Sequence, residues 1–141
     1  MTDLSHGGTT AATRNADIAA FILRVSTGLW FLVHGLTKLL VFTPAGTAGY
    51  FQSIGLPGAL GYLTMLAEIL GGLVLVAGLF TRQVALVLAA VLLGAAWFGH
   101  GGNGFAFGNP GGGWEYPVLW AVTMVALALL GDGGWSLGKR R

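Results

Sequence analysis

Between Ile22 and Leu39 the chain carries an apolar run suited to crossing a bilayer, yet Arg24, His34 and Lys38 stand within it. At 100° per residue, Arg24, Thr27, Phe31, His34 and Lys38 fall on one side of a helix, with Gly28 and Gly35 beside them. Val25, Leu29, Leu32, Val33, Leu36 and Leu40 take the other side. An ionisable group in hydrocarbon costs about 2.5–3.5 kcal/mol on insertion scales. Three such groups on one stripe must face protein or water, which leaves the aliphatic side to lipid. The remaining segments have to receive that stripe.

Composition agrees. Of 141 residues, 55% are hydrophobic and only 9% charged, whereas a soluble domain carries about 25% charged residues. One domain is expected. A net charge of +2 without a groove-reading cluster of basic residues argues against nucleic acid as a partner. The absence of cysteine excludes disulfides, thiolate metal sites, a persulfide carrier and a dithiol relay within the chain.

Residues 1–16 read as a polar, flexible segment. The apolar run that follows is broken at Arg24 and lacks a cleavage end, so it is taken as mature sequence rather than a signal peptide. Asp17 begins the first predicted span, over 17–41. Thr43-Pro44 reads as a cap and first helical residue, and Gly55 and Pro57 as a stop. Between them Ala48–Gln52 predicts a short helix at the interface, anchored by Tyr50 and Phe51. A second span covers 57–80, with Gly61, Thr64, Gly71, Gly72 and Leu75 on the side of Glu68, and small residues there let a neighbouring helix approach. Thr81-Arg82-Gln83 reads as a tight turn before a third span at 83–99. The Gly101–Gly113 loop is either a flexible connector or, through Phe105 and Phe107, a lid; it is no phosphate loop. A fourth span starts at Trp114-Glu115-Tyr116-Pro117 and ends near Gly131, leaving a basic tail at 132–141. The expected fold is therefore all-α and integral to the membrane. It is a four-helix transmembrane bundle, with a short interfacial helix in the first outer loop. Arg14, Arg82 and Lys139–Arg141 lie in the segments that the positive-inside rule places in the cytoplasm, so both termini are expected there.

The intramembrane charges carry two readings. Arg24 and Glu68 sit on inward stripes at depths about 9 Å apart, which suits a structural ion pair. Alternatively, Glu68 is a carboxylate that binds ligand or carries protons. His34, Lys38, Glu68, His100 and Glu115 converge on the outward half as a candidate ligand-binding site, covered by the Gly101–Gly113 loop. Each has a plainer role as well. Lys38 can snorkel, Glu115 complements a helix N-terminus, and His100 can sit wet at the interface. A haem is disfavoured because His34 and His100 differ in depth, and the lack of thiolates counts against zinc or copper. No metal ligand and no catalytic residue is assigned.

The pattern Arg24…Gly28…Phe31…His34-Gly35…Lys38-Leu39, then Tyr50-Phe51…Gly55-Leu56-Pro57, then Glu68…Gly71-Gly72…Gly78-Leu79…Thr81-Arg82, resembles the DoxX family. His100…Gly104-Phe105 and Glu115-Tyr116-Pro117 resemble that family's second half, and the likeness runs over residues 17–137. It implies a multi-pass protein of the bacterial inner membrane with four helices. Similar proteins include the membrane subunit of an archaeal thiosulfate:quinone oxidoreductase and components linked to quinol oxidase or oxidative-stress complexes. The implied function is a subunit or accessory of a quinone-linked redox system, respiratory or sulfur-oxidising. That function carries no intrinsic cofactor and allows quinone as a ligand; His34, Lys38 and His100 also suit an oxyanion. Implied partners are membrane lipid and either a redox-complex protein or further copies of the chain. Two alternatives stay open: a non-catalytic scaffold or small subunit of a larger respiratory assembly, and a small-solute or proton conduit.

Overall fold

The computed structural model describes residues 5–138. The expected basic cluster Lys139–Arg141 lies outside the described residues, as do the first four of the polar segment. Five α-helices follow in order: α1 (Ser5–Leu40), α2 (Pro44–Ser53), α3 (Gly58–Ala77), α4 (Thr81–Gly94) and α5 (Glu115–Leu130). A π-helical turn, Ala95–Gly99, extends α4, and a 3₁₀ turn, Gly101–Asn103, opens the following loop. No strand occurs among the described residues.

Among the described residues three stretches are long and apolar enough to cross a membrane: Thr10–Leu40, Gly58–Ala77 and Thr81–Gly99. The helix α5 has 16 residues and a length of about 24 Å, a little short of the hydrocarbon core. The first helix starts well before the expected Asp17. The helix is already formed at Ser5, because Ala11, Ala12 and Ala16 favour helix and no proline intervenes before Asp17.

Glycine sets the packing of α1 on α3. A methyl group on Gly28 would lie 2.8 Å from the Gly72 carbonyl oxygen, and one on Gly35 would lie 2.6 Å from the Ile69 side chain. Low residue numbers on α1 meet high ones on α3, so the pair is antiparallel with its backbones in close approach. The second tight pair is α4 with α5, and Leu88 of α4 covers Gly71 of α3. The buried centre gathers Phe31, Leu75, Leu88, Trp120, Met124 and Leu127. On α1, Arg24, Thr27, Gly28, Phe31 and Gly35 are buried while Leu29, Val33, Leu36 and Leu40 are exposed, as the helical stripe requires.

Thr43 caps α2 by accepting from the Gly46 amide at 3.2 Å, and Pro44 follows it, as the sequence indicates. The helix then packs on α3, where Gly61 leaves room for the backbone of Thr47 and Ala48. At the other end, α3 stops at Gly78 in a left-handed conformation (φ 70°). The Leu79 amide donates to the Val74 carbonyl and Gly78 to Leu75, each at 3.0 Å, which closes a Schellman motif. The turn is therefore Gly78–Phe80, and α4 begins at Thr81, two residues before the expected start. The described part of the expected tail, residues 132–138, folds back. Asp132 Oδ1 accepts the Thr81 amide at 3.0 Å, and the amides of Leu137 and Gly138 donate to the Ala77 and Gly78 carbonyls.

Candidate functional site

The stripe on α1 brings Lys38 to α3. Its Nζ donates to both carboxylate oxygens of Glu68, at 3.0 and 2.7 Å. Glu68 is 6% exposed, and the Lys38 side chain 19%. One cation thus meets both oxygens of a carboxylate buried among apolar helices. The helix α2 closes this end, with Thr47 buried and its hydroxyl 3.3 Å from the Lys38 carbonyl.

Arg24 does not pair with Glu68, which corrects the expected ion pair. Its side chain is fully buried and donates to five backbone carbonyls: Leu75 (3.3 Å), Val76 (2.6 Å), Asp132 (3.0 Å), Gly134 (3.1 Å) and Trp135 (2.6 Å). Phe21 lies beneath the guanidinium, 5.1 Å from ring centre to carbon. The physical reason is the end of α3, where carbonyls lack helical partners and the dipole is negative. A guanidinium with five fixed donors answers that need better than one carboxylate a turn or two away. Arg24 therefore locks the α3 terminus to the segment after α5.

His34 lies on the exposed edge of the stripe rather than inside it. Its Nδ1 is 2.9 Å from the Trp30 carbonyl, and its ring meets Trp120 edge-on at 5.2 Å. Trp120 also packs on Phe31 at 4.4 Å and on Tyr116 at 6.0 Å, and Tyr116 touches Phe107 of the loop at 5.6 Å. An aromatic series thus runs from the Gly101–Gly113 loop to His34. Beside it, between α1 and α5, lies a hollow of about 150 Å³ lined by Ser26, Thr27, Trp30, Tyr116, Trp120 and Thr123. Sequence reading missed this place. Its walls come from helices far apart in the chain, and the signal available was the run of aromatics and hydroxyls at helical spacing on α5.

His100 and Glu115 flank the loop, as expected, but they join the loop and not the Lys38–Glu68 pair. His100 Nδ1 is 3.0 Å from the Gly112 carbonyl, and the Glu115 amide donates to Phe105 at 3.1 Å. The loop is no slack connector. Asn103 donates to the Gly111 and Gly112 carbonyls, Asn109 donates to Asn103, and Phe105 stacks edge-on against Trp114 at 4.9 Å. Its aromatic rings rest on the start of α5, while Phe105 and Phe107 stay exposed. Among the described residues no group of three His, Asp or Glu side chains gathers as metal ligands would.

The DoxX family model matches residues 19–101, a span that holds Arg24, His34, Lys38, Glu68 and the α1–α3 glycine contacts. The chain belongs to the DoxX family. A Bacillus subtilis protein named "Putative oxidoreductase CatD" is 36% identical over 119 residues, 84% of each chain. The Escherichia coli inner membrane proteins YphA and YqjF are 30% and 28% identical, each over 87% of this chain and over 90% and 92% of their own. No solved structure matches significantly. This DoxX protein is thus a membrane protein, and two of its relatives are named as inner membrane proteins. Glu115 and the α5 wall of the hollow lie beyond the family match.

Proposed function

We propose that this DoxX protein is a membrane subunit or accessory of a quinone-linked redox system, and that the α1–α5 hollow receives the ring of a quinone. The observation that carries this reading is the hollow itself: two tryptophans and a tyrosine form its walls, with the hydroxyls of Ser26, Thr27 and Thr123 among them. A cavity of about 150 Å³ holds a benzene-sized ring. Aromatic faces stack on such a ring, and Trp30 and Leu119, both exposed, leave the opening toward lipid, where quinones travel. His34, bonded to one lining residue and packed on another, sets an imidazole at the edge of the hollow. A bound quinone would supply two-electron, two-proton chemistry. The chain has no cysteine with which to relay electrons, so a protein partner supplies them. The name of the Bacillus relative supports a redox setting. In this reading α1, α3, α4 with its π-helical extension, and α5 all cross the bacterial inner membrane, α2 lies at the outer interface, and both termini are cytoplasmic.

A second reading rests on the Lys38–Glu68 pair. With both carboxylate oxygens held by one lysine that also joins α1 to α3, the pair serves a scaffold as well as it serves a site. Tryptophan fluorescence of the detergent-purified chain, titrated with a short-tailed ubiquinone or menaquinone, separates the two. Saturable quenching that weakens at least about tenfold in Tyr116→Leu or His34→Gln supports the quinone site. Unsaturable quenching, equal in both variants, would leave the scaffold.

A further inference from the structure

The opposite end of the bundle carries a larger hollow, about 750 Å³, between the α3–α4 turn and the segment after α5. Phe80, Arg82, Gln83, Asp132, Leu137 and Gly138 line it, and neither the ion pair nor the quinone reading uses it. Arg82 is exposed and has no hydrogen-bond or ion-pair partner among the described residues. The only carboxylate in the lining, Asp132, is engaged: its Oδ1 caps α4 through the Thr81 amide. The Arg82 side chain lies over Gly131, where an added methyl group would meet its Nε at 3.0 Å, and its donors stay unspent there. Phe80 and Leu137, both 69% exposed, give the hollow apolar edges. Beyond Gly138 the sequence continues as Lys139-Arg140-Arg141.

A free guanidinium over a hollow, edged by apolar side chains at the end of membrane-spanning helices, matches one class of molecule. It needs a negative phosphate next to acyl chains. We propose that this hollow binds an anionic phospholipid, with Arg82 holding the headgroup phosphate, Gln83 supplying a further donor, and Phe80 and Leu137 covering the start of the chains. Guanidinium recognises phosphate through its planar fork, and basic residues beside membrane helices favour anionic leaflets. The assignment to the cytoplasmic leaflet rests on the orientation given above; the binding itself does not, since lipid in a micelle reaches either end.

The test uses the full chain in a neutral maltoside detergent, titrated with phosphatidylglycerol and with phosphatidylcholine, and read by native mass spectrometry of lipid adducts and by the thermal midpoint. Phosphatidylglycerol is expected to bind about tenfold more tightly than phosphatidylcholine, the worth of one charge-assisted contact. Arg82→Gln should remove that preference while leaving phosphatidylcholine binding and the lipid-free midpoint unchanged. Equal phosphatidylglycerol binding by Arg82→Gln, or equal binding of the two lipids by the parent chain, would overturn the site. Displacement of the lipid by inorganic phosphate alone, or its exclusion by a co-purifying protein at this end, would also overturn it. If Arg82→Gln fails to fold, Arg82→Lys takes its place: it must bind phosphatidylglycerol more weakly than arginine does, and equal affinity would count against the proposal.

Discussion

At the scale of single residues, two cations on the inward stripe of α1 have opposite tasks. Lys38 meets a carboxylate, and Arg24 meets carbonyls. The difference follows from reach and from what stands at each depth. Near its helix end Lys38 has one point charge to offer, and Glu68 needs only one partner. Arg24 stands beside the last turn of α3, where several acceptors lack donors at once. A double-mutant cycle should separate the roles. Lys38→Met or Glu68→Leu alone strands a buried charge and should cost about 3–5 kcal/mol of stability in detergent, whereas the double replacement should cost clearly less. Arg24→Gln should destabilise strongly by leaving buried carbonyls unpaired, yet combine with Glu68→Gln additively within about 0.5 kcal/mol. Strong coupling between Arg24 and Glu68 in unfolding measurements, or none between Lys38 and Glu68, would reverse this assignment.

At the scale of elements, α1 and α3 depend on contacts that only glycine permits. A side chain at Gly28 meets the Gly72 carbonyl at 2.8 Å and Val76 at 2.9 Å, so Gly28→Val must push the helices apart. The expected outcome is a large fall in the thermal midpoint, with Gly94→Ala as a control, since a methyl group there meets nothing within 4 Å. A Gly28→Val variant as stable as its parent would mean that close approach does not hold this pair. The helices and the inward stripe of α1 were legible from period and composition, because those signals are local. The Arg24 partners were not. Asp132, Gly134 and Trp135 lie more than a hundred positions along the chain from Arg24, and helix periodicity carries no trace of a tail that folds back. The loop was half legible: its phenylalanines pointed to a packed segment, but the asparagine bonds that close it depend on geometry that its composition conceals. The α1–α5 hollow needed the fold before it could be seen at all.

At the scale of the whole molecule, the hydrogen bonds of the last segment bear on how many times the chain crosses. Helix α5 is short for a span, and by length alone it could lie along the surface. Its two ends argue otherwise. The Glu115 amide is tied to the Gly101–Gly113 loop, which follows the far end of α4. The residues after Leu130 are tied to the α3–α4 turn, where Asp132 caps Thr81 and Leu137 and Gly138 bond to Ala77 and Gly78. Those anchors sit at opposite ends of α4 and its π-helical extension, a stretch over Thr81–Gly99 that is long enough to span. A helix held at both ends of a spanning neighbour is expected to cross with it, as the proposed topology requires. The lack of native cysteine makes this directly measurable with single-cysteine variants and a membrane-impermeant maleimide. Gly108→Cys, where added atoms meet nothing within 4 Å, should label on intact spheroplasts. Thr10→Cys and Leu137→Cys, both at exposed positions, should label only after the membrane is opened. Labelling of Leu137→Cys from the same side as Gly108→Cys would show that α5 does not cross. The reverse pattern at all three positions would invert the orientation and move the Arg82 hollow to the outer leaflet.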